Sequence, residues 1–245
     1  MKKHNSFKAL LVAVAMFAFG GSAFAQVESS IFFNMNMPVG SFAKDASMYN
    51  DVNLGNKSIG TDAIFGIGGT YRIGYVFDIQ IGLIEPFAEA GFNWNRISGD
   101  NRDKYDAYRG RVPNYFNIPL MLGINYRYDK LSETFVPYGE FGLGYDLFFT
   151  NGEGKDNDIA YQLSYKTNGG FAWQIGAGVI IGQYFSVGLS FVSYGNHRIE
   201  YTNGTVDNHA GIEYDANLTE LNSKGEAAIV RRSFNNLTIK LGFHF

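Results

Sequence analysis

The chain has no cysteine, which excludes a disulfide-stapled scaffold and any thiolate metal site. It has only 5 prolines in 245 residues, so long extended stretches can run without interruption. It has no basic surplus: 20 Lys and Arg stand against 23 Asp and Glu, a formal net charge of −3. Nucleic acid, which needs a basic patch or stripe, is therefore not an expected partner. Beyond Ala25 no apolar run approaches the ~18 residues of a membrane helix. A chain of this kind can cross a membrane only as strands.

What is present begins with an export signal. Lys2, Lys3 and Lys8 form a positive segment, and Ala9 to Phe19 is an apolar one. Ala23-Phe24-Ala25 then places small residues where a signal peptidase reads. Residues 1–25 are expected to be removed before Gln26, leaving one domain over 26–245 with 17 basic and 23 acidic side chains (20 − 3 = 17). The export machinery is an implied partner.

Downstream, apolar and polar residues alternate with period two, the mark of strands. Leu237, Ile239, Leu241, Phe243 and Phe245 alternate with Thr238, Lys240, Gly242 and His244. The same pattern predicts eight strands, at about 27–37, 61–77, 83–97, 113–128, 135–150, 169–181, 184–201 and 232–245. Most exceed the ~9–11 residues that a tilted strand needs to cross a bilayer. Their connections alternate short and long, with long polar loops at 38–60, 98–112, 151–168 and 202–231. That is the pattern of an eight-stranded antiparallel transmembrane β-barrel, with tight periplasmic turns and long extracellular loops.

The chemistry of the two faces decides which one meets lipid. One face is almost free of charge, and its aromatics gather near the strand ends: Tyr126, Phe135 and Phe245 at one end, Trp94, Phe116 and Phe171 at the other. The second face carries Gly66, Gly123, Gly178, Gly188 and Gly242 together with Arg72, Glu85, Glu89, Arg127, Glu140, Asp146 and Lys240. Lys or Arg on a lipid-facing surface costs ~2–4 kcal/mol at mid-bilayer, so the charged face is expected to line the lumen. Two ion pairs follow from the turns. Centring one hairpin at Gln80-Ile81 sets Arg72 opposite Glu89, and centring the next at Glu133-Thr134 sets Arg127 opposite Glu140. With Lys240, these residues form an expected luminal network that plugs the barrel rather than conducts. The many luminal glycines argue against a complete plug, because they leave volume for water.

The segment Tyr115-Phe116-Asn117-Ile118-Pro119-Leu120-Met121-Leu122-Gly123 resembles the Ile-Pro-Leu strand of small outer-membrane barrels of the PorT-like group of Bacteroidota. Val136-Pro137-Tyr138-Gly139-Glu140-Phe141-Gly142 looks like that group's following strand. The chain end, with Leu241, Phe243 and Phe245, resembles the signal read by the barrel assembly machinery. A looser likeness to OmpA- and OmpX-type barrels rests on architecture alone. The resemblance implies residence in the outer membrane among lipid and lipopolysaccharide, and it implies no activity.

Some small barrels are enzymes that modify lipid A, a reaction that needs a nucleophile beside its base. After Ala25 the chain has only His197, His209 and His244. Ser193 and His197 fall on one face of a regular strand, but four residues separate them by roughly 13 Å, too far for a nucleophile and its base. No catalysis, cofactor or metal is expected. The acidic stretches around Glu153 and Glu213 lack the ligand spacing of a calcium loop. The expected role is structural or one of surface interaction through the loops, with an extracellular partner left open. A narrow solute channel is the alternative, and a lipid-modifying enzyme a more distant one.

Overall fold

The computed structural model describes residues 26–43, 63–97, 114–156, 159–167, 169–208, 213–216 and 229–245. Ten strands appear: β1 Gln26–Val39, β2 Ala63–Asp78, β3 Leu83–Ile97, β4 Asn114–Arg127, β5 Phe135–Asp156, β6 Ile159–Thr167, β7 Gly170–Ile181, β8 Phe185–Asn208, β9 Glu213–Ala216 and β10 Ile229–His244. All described pairings are antiparallel. β6 and β7 follow one another between β5 and β8, so together they make one position in the wall. β9 lies against the outer end of β8. With β10 paired to β1, the wall closes into an eight-stranded barrel.

The export signal over 1–25 lies outside the described residues, as do most of the loops 38–60 and 98–112. The loop expected over 151–168 is corrected: β5 runs on to Asp156 and pairs through Gly152↔Leu163 with β6. The loop over 202–231 is likewise partly strand, in the end of β8, in β9 and in the start of β10. β6 does alternate in sequence, Ile159, Tyr161, Leu163 and Tyr165 against Ala160, Gln162, Ser164 and Lys166, but it is short and lies between the polar runs 151–158 and 166–169, so the whole stretch reads as one loop. Backbone pairing nevertheless continues through both stretches.

Register fixes the geometry. Following ladder partners from Asn34 one way around leads through Gly68, Asn93 and Asn117 to Phe148. The other way leads through Lys240, Gly188 and Gly178 to Tyr138. The two arrivals on β5 differ by 148 − 138 = 10 residues. A shear of ten over eight strands tilts them by about 40° to the axis and leaves room for little more than side chains inside.

The polarity is inside out relative to a water-soluble barrel. Phe33, Tyr71, Phe92, Leu120, Ile124, Phe141, Ile175, Leu189 and Phe243 are exposed, whereas Arg72, Glu85, Glu89, Glu140, Asp146 and Lys240 are buried. Aromatics hold the rims, with Tyr126, Phe135 and Phe245 exposed at the short-turn end and Phe149 and Phe171 exposed at the other. Such an exterior is stable only in hydrocarbon between two interfaces.

One irregularity redirects a strand. The β8–β10 ladder shifts register between Phe234 and Asn235, where Gly195 has φ +87°. Ser193 pairs with Asn235 but His197 pairs with Arg232, so the bulge moves Ser193 and His197 to opposite faces. The shared face expected of a regular strand is thereby corrected. A Cβ at Gly195 would lie 2.3 Å from the Phe171 carbonyl oxygen. Gly195→Ala is expected to cost about 1–3 kcal/mol through strain at this bulge, read as a lower unfolding temperature in a gel-shift melt. An unchanged melt would mean that no bulge exists there.

Candidate functional site

The lumen is where the buried chemistry lies, and it is organised in tiers. At mid-barrel, Arg72 on β2 donates from Nε and Nη2 to Glu89 Oε2 at 3.1 and 2.7 Å. The same Nη2 donates to Glu140 Oε2 at 2.6 Å. Lys240 Nζ donates to Glu140 Oε1 at 2.8 Å and to Gln174 Oε1 at 3.0 Å. Gln174 Nε2 donates to Glu89 Oε1, and Ser190 Oγ to Glu140 Oε1. Two cations and two carboxylates thus neutralise one another across four strands. The Arg72 guanidinium also sits 3.8 Å from the Phe87 ring centroid and 4.9 Å from that of Phe32. These contacts shield it further from water.

The structure brings together Arg72, Glu89, Glu140 and Lys240 from the expected network, but it separates Arg127 from Glu140. In the β4–β5 ladder Arg127 faces Tyr138, and Glu140 faces Asn125. The reason lies in the turn. Ser132 Oγ accepts from the N–H groups of Thr134 and Phe135, which tightens the connection and slips the register by two residues. A two-residue slip keeps every side chain on its face, so the pleat alone cannot detect it.

Arg127 instead anchors a second tier at the short-turn end. It donates to both oxygens of Glu28, at 2.6 and 2.7 Å, and to Glu85 Oε2, which also accepts from Asn125 Nδ2 at 3.0 Å. His244 lies beside them, with Nδ1 2.8 Å from Glu28 Oε1 and Nε2 2.8 Å from Ser186 Oγ. Ser30 Oγ is 2.9 Å from the same Nδ1. Serine, histidine and carboxylate in this order have the connectivity of a hydrolytic triad. Yet Ser186 is fully buried and Glu28 is already held by Arg127. Sequence reasoning placed His244 in the lumen but missed these partners, because Glu28 and Ser30 reach it across the closing seam.

The outer half is polar and then aromatic. Asn34 and Asn36 donate to Asn93 Oδ1, Thr238 donates to Asn36, and Asn236 to Asn95. The Oδ1 atoms of Asn34, Asn117 and Asn236 accept no hydrogen bond from the described residues, a setting suited to ordered water. Above them Asn117 Nδ2 donates to Asp146 Oδ2 at 2.6 Å, and His197 Nε2 lies 3.2 Å from the same oxygen. Aromatic rings close the outer mouth. A 3-10 turn over Gly40–Phe42 follows β1 and buries Phe42 completely, 4.6 Å from the Phe234 ring and 5.6 Å from that of Tyr115. Phe148 stacks beneath at 4.4 Å from Phe234 and 4.9 Å from His197.

The glycines do not leave the lumen open, contrary to the expectation of free volume. A Cβ at Gly123 would lie 2.4 Å from Phe87 Cζ, and one at Gly188 2.2 Å from the Tyr138 hydroxyl. One at Gly242 would lie 2.6 Å from Phe32. Each glycine is the seat of a ring from a nearby strand: Phe87 and Phe32 are the ladder partners of Gly123 and Gly242, and Tyr138 reaches Gly188 from two strands away. Leu241, Phe243 and Phe245, the expected assembly signal, lie on the outward row of β10, with Phe243 and Phe245 strongly exposed. Phe245 exchanges both backbone hydrogen bonds with Ser29 at 2.9 Å.

A closed barrel with an apolar exterior and a charged lumen is the construction of an outer-membrane protein, and the chain resides in that membrane. No family model and no curated protein sequence matches the chain. Among solved structures, the outer-membrane enzyme PagL is 13% identical with a TM-score of 0.38, over 87% of this chain and 97% of that one. OprG of Pseudomonas aeruginosa is 14% identical with a TM-score of 0.42, over 91% and 96%. AlkL is 16% identical with a TM-score of 0.40, over 92% and 93%.

Proposed function

We propose that this outer-membrane barrel is a closed, non-catalytic scaffold that acts through the segments it presents outside the cell. The observation that carries this reading is the threefold occlusion of the lumen by the Arg127 tier, the Arg72 tier and the aromatic lid. Each tier reaches across the interior, so a passing solute would have to break its ion pairs or displace its rings. The Ser186–His244–Glu28 chain supports a structural role in this reading, since its hydroxyl is sealed from any substrate. The resemblance to the PorT-like group, the signal segment over 1–25 and the assembly role of Leu241, Phe243 and Phe245 belong to the same proposal.

Planar-bilayer recording of the refolded chain tests it. The wild-type barrel is expected to be silent, and Phe42→Ala is expected to remain silent because two ionic tiers persist below the lid. Steady ohmic steps from the wild type would replace the scaffold with a channel. An altered lipid A mass in cells that express the chain would replace it with an enzyme.

A further inference from the structure

Among the described residues, every luminal carboxylate but one is matched to a fixed cation. Glu89 and Glu140 share Arg72 and Lys240, and Glu28 and Glu85 share Arg127. Asp146 on β5 is the exception. It is completely buried, yet no described Lys or Arg lies within ion-pair distance of it. Asn117 Nδ2 donates to its Oδ2 at 2.6 Å, His197 Nε2 lies 3.2 Å from the same oxygen, and the Ile118 backbone N–H is close by. Its other oxygen, Oδ1, accepts no hydrogen bond from the described residues. A carboxylate buried without a matching charge is strongly disfavoured.

The side chains around Asp146 bring further oxygen but no fixed positive charge. Asn117 holds the carboxylate through its amide nitrogen, so the Oδ1 of the same amide is a close neighbour, and that oxygen also accepts nothing from the described residues. The bulge at Gly195 turns both Tyr194 and His197 into the lumen, where both are buried. Tyr194 interacts with Asp146 and with Asn236, which ties Asn236 of β10 to the same locus. Asn236 is completely buried, and its Oδ1 is the third oxygen there without a donor.

The short-turn tier makes an instructive contrast. Its atoms without partners are Glu85 Oε1, Asn125 Oδ1 and Arg127 Nε, two acceptors and a donor, a mixed set that water can bridge. Its carboxylates already face an arginine. Around Asp146 the surplus is of acceptors and of negative charge together. Water supplies donors to such a site but leaves the charge in place. The rings of Phe148 and Phe234, 4.9 and 5.1 Å from the His197 ring, roof the cluster against bulk solvent.

We propose that Asp146, Asn117 and Asn236 form a binding site for a single monovalent metal cation of the sodium type in the outer half of the lumen. Carboxylate and amide oxygens are hard ligands and suit a hard cation. One positive charge neutralises the one carboxylate, whereas a divalent ion would leave a net positive charge buried in its place. The ion ties β10 to β4 and β5, strands that no ladder joins to it.

The full barrel refolded in zwitterionic bicelles tests the site. Sodium chloride replaces N-methylglucamine chloride at constant ionic strength, and the gel-shift melting temperature is followed together with the sodium NMR linewidth. Sodium is expected to raise the melting temperature in a saturable way and to broaden its own resonance. Asp146→Asn is expected to abolish both responses. Glu28→Gln, which removes a carboxylate that Arg127 already matches, is expected to keep them. Should Asp146→Asn fail to fold, Asn236→Ala, which leaves the carboxylate in place, is expected to weaken the sodium midpoint by about tenfold. Equal melting of the wild type in sodium and in N-methylglucamine would overturn the proposal, since water or a His197 imidazolium would then satisfy Asp146 alone. A sodium response undiminished in Asp146→Asn, or a calcium response as large as that to sodium, would overturn it as well.

Discussion

Replacing Arg72 with leucine is expected to destabilise the barrel by about 3–5 kcal/mol, the cost of leaving one side of a buried ion pair behind. The side chain is within 1% of complete burial, and so is that of Glu140. Without Arg72, Glu89 and Glu140 share Lys240 as the remaining cation of their tier, and Lys240 Nζ lies 2.8 Å from Glu140 but 3.8 Å from Glu89. One uncompensated negative charge then remains in the buried tier. Adding Glu140→Gln to the Arg72→Leu variant restores neutrality while leaving the Arg72 cavity unfilled by charge. That double variant is expected to regain about half of the loss, because the remainder is the lost packing of a guanidinium on two rings. Urea unfolding in lipid vesicles, followed by the gel shift of the folded band, measures both. If Arg72→Leu lies within 1 kcal/mol of wild type, the tier is bathed in water and does not plug the lumen.

Leu189→Arg is expected to cost about 2–4 kcal/mol for the opposite reason. Leu189 stands outward on β8 between Ile239 of β10 and Ala177 of β7, and it is 48% exposed. In water this exposure would make the substitution harmless. In a bilayer the guanidinium must find solvent from near the middle of the apolar band. Unfolding of the variant in vesicles decides between the two environments, and a cost below 0.5 kcal/mol would place the exterior in water. The same substitution at the exposed turn residue Leu131 is expected to change stability little, since it lies at the rim where charge is tolerated.

Local pairings were legible from residue order, and distant ones were not. Arg72 and Glu89 meet because a short turn over Asp78–Leu83, with Gln80 at φ 69°, leaves one choice of register. The Arg127 pairing was misread because a hydroxyl in the next turn, that of Ser132, slips the ladder by two without turning any face. The Glu140–Lys240 and Glu28–Arg127 contacts span 100 and 99 residues. What brings them to one height is the shear of ten, a property of the closed wall that no single strand carries. His197 was misplaced for a different reason: period-two counting assumes a regular ladder, and Gly195 interrupts it. The asparagine layer, by contrast, could have been seen, because Asn34, Asn36, Asn93, Asn95, Asn117 and Asn236 all fall on the luminal parity of their strands.

The split between near and far ion pairs constrains the order in which the barrel can be built. The β2–β3 hairpin enters the membrane with Arg72 set against Glu89, while Glu85 on β3 waits for Arg127 of β4. Glu140 has no such companion within its hairpin: its cations are Arg72 on β2 and Lys240 on the last strand, and Glu28 on the first strand waits for Arg127 of β4 and for His244 at the chain's end. A half-made barrel therefore lacks part of the pairing of Glu140 and Glu28 until β10, with Lys240 and His244, docks on β1. Insertion is then a single committed event, in which sealing the wall and extinguishing the interior charge are the same step.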